Sequence, residues 1–293
     1  VNKTEVEIAE AVAAAAPIVI APARSQFGVV IATNDNTKFR NCAELWAKGL
    51  SDLSAPSQIQ CVEGAPSMAT AYNFGMSKID AEYVIFSHHD AFPLPFPNYT
   101  VGKALRHRMD ELQIDLLGFA GSSRMVGSKW FAGGYAYGGV INLPTQAGQP
   151  IAYARWQAPA QTIAGMRALD GYCLVARKSA LEKIGGFDEK QLRPSFHFYD
   201  LDIAARAFDA GLNVAVASNI YMVHQSAGGY GLQAWSDSVP AFMDKWAGKF
   251  DAMAQEVTVN YGSVLSGDIR LLVQYLDDVN AGLPEILTVR VRN

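Results

Sequence analysis

Three groups of side chains in this chain have the chemistry to bind a cation or move a proton: His88-His89-Asp90, Tyr199-Asp200-Leu201-Asp202, and His224. Carboxylate oxygens and imidazole nitrogens together suit Mn2+ or Mg2+. A divalent ion held by Asp90 would offset the charge of a nucleotide diphosphate and ease its departure. A carboxylate on the far side of the reacting centre could take a proton from a hydroxyl, and Asp200 is the candidate. Asp200 also opens a helix, where an acid is a favoured cap or first-turn residue, so both roles stay open on spacing alone. Asp202 lies in the same turn but, two residues on, does not share its face. His224 runs into Gln225-Ser226-Ala227-Gly228-Gly229-Tyr230, a Gly-rich loop able to close over a ligand. A lone His is equally at home as a structural residue.

These groups need rigid elements behind them. Tyr83, Val84, Ile85, Phe86 and Ser87 run straight into His88, and Pro93, Pro95 and Pro97 stop any regular element beyond Asp90. So short an apolar run between breakers reads as a buried strand whose carboxyl end holds the first group. Residues 27–33 and 59–62 read as two more such strands. Helical stripes lie between them, the first through Phe39, Cys42, Ala43, Trp46 and Leu50, the second through Met68, Ala71, Tyr72, Gly75 and Met76. The order β-α-β-α-β implies a parallel sheet with right-handed crossovers, and such sheets bind ligands at the carboxyl edge. No Gly-x-Gly-x-x-Gly follows the first strand, which disfavours a dinucleotide-type phosphate loop.

Further along, 101–112 reads as a helix, 115–120 as a strand, 169–176 as a strand and 178–184 as a short helix. Residues 200–210 form the best-marked helix, with Gly211 placed to end it. Strands follow at 212–217 and 220–223. The stretch 121–162, rich in Gly and bearing Trp130 and Trp156, is either a functional loop or a β-hairpin excursion. Beyond Tyr230 the stripes through Val239, Phe242, Met243, Trp246 and Phe250, and through Ile269, Leu272, Tyr275 and Leu276, mark two amphipathic helices. The expected organisation is an N-terminal helical extension (1–26), an α/β domain (27–231) and a helical C-terminal appendage (232–293).

Half of the 293 residues are hydrophobic and 18% are charged, which suits a globular chain with a sizeable core. A net charge of -4 argues against a nucleic-acid partner. No apolar run is long enough to cross a membrane. The three cysteines, Cys42, Cys61 and Cys173, are far apart and form no C-x-x-C pair, as expected of buried free thiols in the cytoplasm. Residues 11–20 have the length of a signal h-region. Glu5, Glu7 and Glu10 precede them, however, so a short amphipathic helix is the expectation.

The order of these motifs resembles the inverting, family-two-like glycosyltransferases of the GT-A fold, and most of all the bacterial branch whose metal motif reads His-x-Asp. The resemblance runs from about Phe27 to Tyr230. It implies an α/β fold of GT-A type, a Rossmann-like, mostly parallel sheet flanked by helices. It implies a nucleotide-sugar donor, a UDP-sugar favoured, near Thr33, Asn34, Asp35, Glu63, Asn73, His88 and His89. Thr33 and Asn34 end the strand that enters the base pocket. Asn73 belongs to Ala71-Tyr72-Asn73-Phe74-Gly75, which resembles the family's Tyr-Asn-x-Gly helix. Glu63 stands near the place of an Asp that reads the base. Asp90 and His224 would hold Mn2+ or Mg2+, with His88 in the place of the first Asp of the metal motif. Phe196 to Asp202 resembles the Glu-Asp catalytic motif, with Tyr199 where the Glu stands, and makes Asp200 the general base. Asp170, Gly171, Tyr199 and Asp202 would face a glycan or glycolipid acceptor.

The expected role is metal-dependent, inverting sugar transfer in polysaccharide or glycoconjugate synthesis. Trp246, Phe250 and the C-terminal helices are available to the inner face of a membrane, a second subunit or core packing. Two other readings stay open. A non-catalytic carbohydrate-binding or scaffold domain could keep this fold. A sugar-phosphate nucleotidyltransferase is disfavoured because residues 34–38 lack a Gly-rich basic loop.

Overall fold

The computed structural model describes residues 25–289, apart from 56, 145, 147–148, 193–194, 227–230, 253–259 and 265–266. The expected N-terminal helix and most of the Gly-rich loop after His224 lie outside the described residues.

Strand Ser25–Thr33, helix Asn36–Gly49, strand Gln58–Glu63, helix Met68–Lys78 and strand Ala81–His88 follow in the expected β-α-β-α-β order. The second and third strands pair in parallel on either side of the first. Side chains of a strand alternate between faces. Phe27, Val29 and Ile31 therefore enter one core, with Tyr83, Ile85 and Trp46, and Val30 enters the other with Val84, Phe86 and Tyr72. Both faces are buried, and that is why these strands are continuous apolar runs rather than alternating ones. The second helix comes so close to the sheet that a Cβ on Gly75 would lie 2.2 Å from a Val30 methyl.

The main sheet has eight strands in the order Ile286–Thr288, Thr162–Ala164, Val214–Ala217, Leu116–Gly118, Cys173–Arg177, Ala81–His88, Ser25–Thr33 and Gln58–Glu63. Cys173–Arg177 is antiparallel to both neighbours. It starts opposite Ser87, so the turn before it, residues 170–172, lies beside the His88 end of its partner, and His88 N–H donates to the Tyr172 carbonyl at 3.1 Å. A second sheet runs through Ala168–Leu169, Ala120–Ser122, Ala136–Asn142, Met222–His224 and Ala91–Pro93. In it His224 pairs with Ala91, next to Asp90.

The strands expected at 115–120 and 169–176 each appear in two pieces, because the chain crosses from one sheet to the other at Phe119 and at residues 170–172. The 121–162 stretch contains a hairpin, Ala136–Asn142 against Ile151–Arg155. The C-terminal helices are Gln233–Lys245 and Ile269–Asn280. The tail is more than helical: Asn260–Val264 pairs with Ile151–Arg155, and Ile286–Thr288 forms the edge of the main sheet. Neither strand has a readable signature. The first carries Gly262 and Ser263, and the second has only three residues. Among the described residues no helix is long and apolar enough to cross a membrane.

Candidate active site

The turn after strand Ala81–His88 is pinned from below. The Ala91 carbonyl accepts from the Trp46 indole at 3.1 Å and from the Ser87 hydroxyl at 2.7 Å. The adjoining strand then sets His224 beside this turn, and Gln225 N–H donates to the Asp90 carbonyl at 3.0 Å. As a result His88 Nδ1 lies 3.4 Å from His224 Nε2, and an Asp90 carboxylate oxygen lies 3.6 Å from the same nitrogen. One ligand atom from each of these three residues falls within 4.8 Å of the others.

The tautomer of His88 follows from its partners. The Tyr199 hydroxyl donates to the Gly171 carbonyl at 2.8 Å, so it accepts from His88 Nε2–H at 2.6 Å. That leaves the Nδ1 lone pair aimed at His224 and Asp90. Burial, and then the neighbouring His224, push the His88 imidazole down to about 3, which keeps it neutral. A neutral imidazole is the form that ligates a metal. The Tyr172 ring stacks on His224 at 5.1 Å and holds it flat. The donor set and its spacing therefore fit a divalent cation.

Across from this group stand two carboxylates. Asp170 accepts from the Trp130 indole at 2.8 Å. Asp200 accepts from Gly171 N–H at 2.9 Å. Burial, and then the charge of Asp170, raise the Asp200 carboxyl to about 7, and burial raises Asp170 as well. Asp200 is not the helix cap. Phe198 takes that position with no side-chain cap and a left-handed φ of 65°, held by stacking on Phe242 at 4.9 Å. Such a backbone is costly for a bulky residue and is found where surrounding packing enforces it. It sets the first turn, Tyr199 and Asp200, over Gly171. Gly171 is required at that point, because a Cβ there would lie 2.4 Å from the Tyr199 hydroxyl and 2.6 Å from the Asp200 Cβ.

Two cavities open on either side of this array. One, of about 500 Å3, is lined by Thr33, Asn34, Lys38, Val62, Gly64, His89 and Asp90 among others. Within it Thr33 Oγ1 and His89 Nδ1 are hydrogen-bonded at 2.9 Å. The other, of about 460 Å3, is walled by Trp130, Phe131, Trp156 and Trp235 and holds Asp170, Gly171, Tyr199, Asp200 and His224. His88, Phe196 and Ser226 border both.

Four of the residues expected at the site line neither cavity. Asn73 is engaged with the 187–189 turn: its side chain accepts from Phe187 N–H at 2.9 Å and donates to the Phe187 carbonyl and to Glu189. Asp202 is fully buried and binds Arg206, Lys245 and the Trp246 indole. Asp35 caps helix Asn36–Gly49 through the amides of Thr37 and Lys38. Glu63 is exposed at its strand end, 3.4 Å from the Asn36 amide. In each case an acid or amide that looks functional in the sequence is committed to a cap, a turn, a side-chain pair or a buried ion pair. Lys38 and the aromatic walls line the cavities without having been expected there, and Phe196 and His197 lie in the run that resembles the catalytic motif without a role of their own. For Trp130 and Trp156 the signal is the Trp- and Gly-bearing stretch 121–162, whereas Trp235 is brought in only by tertiary packing.

The family model described as the glycosyltransferase-like family matches residues 28–246. The chain belongs to this glycosyltransferase-like family. The match covers both cavities and every residue of the array. Among curated proteins none matches the sequence. Solved structures similar to this glycosyltransferase-like chain include Staphylococcus aureus TarS with UDP-GlcNAc, at 14% identity and a TM-score of 0.43 over 72% of this chain and 60% of that one. The mannosyltransferase PcManGT of Pyrobaculum calidifontis, with GDP-Man and Mn2+, has 14% identity and a TM-score of 0.42, with 72% and 60% covered. A Drosophila β-1,4-galactosyltransferase 7 mutant with manganese, UDP-Gal and xylobiose has 10% identity and a TM-score of 0.43, covering 86% and 98%. The chain thus spans about 60% of the TarS fragment, and likenesses at this level decide nothing about chemistry.

Proposed function

We propose that this domain is a metal-dependent, inverting glycosyltransferase that moves a sugar from a nucleotide-diphosphate sugar, a UDP-sugar in the first instance, to an acceptor hydroxyl in polysaccharide or glycoconjugate synthesis. The observation that carries the reading is the meeting of two cavities at His88, with Asp90 and Lys38 on one side and Asp200 on the other.

The donor fits the first cavity, with its base beside Thr33, Asn34 and Val62 and its diphosphate towards Lys38 and His89. Asp90, His224 and His88 would hold Mn2+ or Mg2+, which when bound supplies positive charge to the diphosphate oxygens. The acceptor enters the aromatic cavity. Asp200, with a carboxyl that titrates near neutrality, takes the proton of the acceptor hydroxyl. The hydroxyl oxygen forms its bond to the anomeric carbon as the bond to the diphosphate oxygen breaks, and attack from the opposite face inverts that carbon. Trp130 and Tyr172 N–H hold Asp170 beside this reaction, where its charge keeps Asp200 basic.

Substituting Asp200→Asn tests the assignment. Donor binding is expected to persist while transfer is lost, and unchanged transfer would remove Asp200 as the base. Nucleotide-sugar panels assayed by mass spectrometry with and without chelator test the metal. Turnover indifferent to chelator would overturn metal dependence.

A further inference from the structure

The group formed by His88, Asp90 and His224 is poor in the oxygen atoms that hard cations need. Its facing atoms are two imidazole nitrogens, His88 Nδ1 and His224 Nε2, 3.4 Å apart, and one carboxylate, with an Asp90 oxygen 3.6 Å from the His224 nitrogen. The next polar atom at that nitrogen is uncharged: Ser226 Oγ lies 2.9 Å from it. Neither acceptor-side carboxylate joins the group. Asp170 accepts from the Trp130 indole and Tyr172 N–H, and Asp200 accepts from Gly171 N–H. His89, between the two ligands of the strand end, is bonded instead to Thr33 Oγ1.

From this donor set we infer that the protein selects a transition-metal ion bound through nitrogen, and that Mg2+ and Ca2+ are discriminated against by the residues themselves. The inference rests on the reading that these three residues hold the ion. Mg2+ gives up its water reluctantly and is held through carboxylate and phosphate oxygens, and Ca2+ takes about six to eight oxygens. One carboxylate and two neutral rings satisfy neither. Two imidazoles and one carboxylate with open positions are instead the donor set of divalent iron sites, and affinity at nitrogen-bearing sites rises from Mn2+ through Fe2+ and Co2+ to Ni2+. Mn2+ is thus the weakest of the ions this site favours. His88 in the place of an acid acts twice: it removes a negative charge that a hard cation needs, and it adds a nitrogen that favours a transition ion.

The test is metal binding by the whole protein, without nucleotide, so that no phosphate oxygens contribute. Chelator-stripped protein is titrated with Mn2+, and loss of the free-ion EPR signal gives the affinity. Mg2+, Ca2+ and Co2+ are then added as competitors. Co2+ is expected to displace Mn2+ when the two are equal in concentration, and Mg2+ and Ca2+ only at about a 100-fold excess or more. Pulsed EPR of the bound Mn2+ should show nitrogen coupling from directly ligated imidazole. His88→Asp should weaken that coupling and narrow the gap between Mn2+ and Mg2+ by about tenfold. If that variant does not fold, the competition and the spectrum of the wild type decide alone. Displacement by Mg2+ at a smaller excess overturns the inference, and so does bound Mn2+ without nitrogen coupling. Mn2+ that binds only together with UDP would show that these residues do not select the ion, and would leave metal dependence standing. No Mn2+ bound, alone or with UDP, removes the metal reading and this inference with it.

Discussion

The Tyr199 hydroxyl bridges His88 Nε2, at 2.6 Å, and the Gly171 carbonyl, at 2.8 Å. The two positions at which this chain departs from the Asp-x-Asp and Glu-Asp patterns of family-two enzymes are therefore in contact. A histidine in the metal motif needs its far nitrogen protonated and held if the near one is to ligate. A tyrosine that spends its own proton on a backbone carbonyl supplies that acceptor. Each departure gives the other its physical sense.

Tyr199→Phe removes the acceptor and leaves His88 Nε2–H and the Gly171 carbonyl without their partner. Loss of such an outer partner typically weakens metal binding by about 10- to 100-fold. The variant should bind Mn2+ that much more weakly by calorimetry or by titration of the free-ion EPR signal. Unchanged Mn2+ affinity in a folded variant would mean that His88 needs no such partner, or is not a ligand.

Asp200 makes two predictions of opposite sign. As a base it must be ionised, so transfer should fall as the pH drops through about 7, the value to which burial and Asp170 raise it. For stability the order reverses. A carboxyl whose folded value lies above the ordinary 3.8 gives a contribution that is complete below 3.8 and is lost as the pH rises through about 7. Asp200→Asn can still accept from Gly171 N–H and cannot ionise. It should stabilise the protein above neutrality by up to about 4 kcal/mol, and little at pH 4. Thermal melts of both proteins across this range check it. A variant no more stable at pH 8 than wild type would show that the carboxyl is not penalised.

The legible parts of this protein were those where one local pattern suffices. Strand Ala81–His88 declares itself by a continuous apolar run that ends in ligands, and the β-α-β-α-β opening by repetition of that pattern. His88, Asp90 and His224, which the structure brings within reach of one another, stand out in sequence because each ends or closely follows an apolar strand. The aromatic cavity could not be assembled, because Trp130, Trp156, Phe196 and Trp235 come from four separate segments and meet only through the second sheet and the C-terminal helix. Asn73 and Asp202, expected at the site, line neither cavity for a different reason: an amide or acid looks the same in sequence whether it faces a ligand or closes a turn. The strand Ile286–Thr288 escaped because three residues at a sheet edge carry no period.

Gly171 has no room for a side chain. Gly171→Ala would press a methyl into the Tyr199 hydroxyl and the Asp200 Cβ, both at under 3 Å. Overpacking of this kind costs about 1–3 kcal/mol. The strain falls on the two residues that set the His88 tautomer and the base, so transfer should drop by a larger factor than stability implies. Transfer rates compared at a temperature where both proteins are folded would show this. A variant with wild-type rate would mean that the turn yields elsewhere.

Asp202 offers the converse case, a residue whose loss should damage the fold and spare the site. It is fully buried, accepts from Arg206 Nε at 2.8 Å and from the Trp246 indole at 3.0 Å, and pairs with Lys245 at 2.6 Å. It ties helix Gln233–Lys245 to helix Tyr199–Asp209. Lys245 retains Asp188 as a second partner, but Arg206 keeps no carboxylate among its described ion pairs. Removing one member of a buried ion pair costs about 3–5 kcal/mol because the remaining charge is left without compensation. Asp202→Ala should therefore melt many degrees lower. At a temperature where it is still folded, its affinity for nucleotide diphosphate with Mn2+ and for neutral disaccharides should match wild type. A variant with an unchanged melting temperature and weakened saccharide binding would instead return Asp202 to the acceptor side.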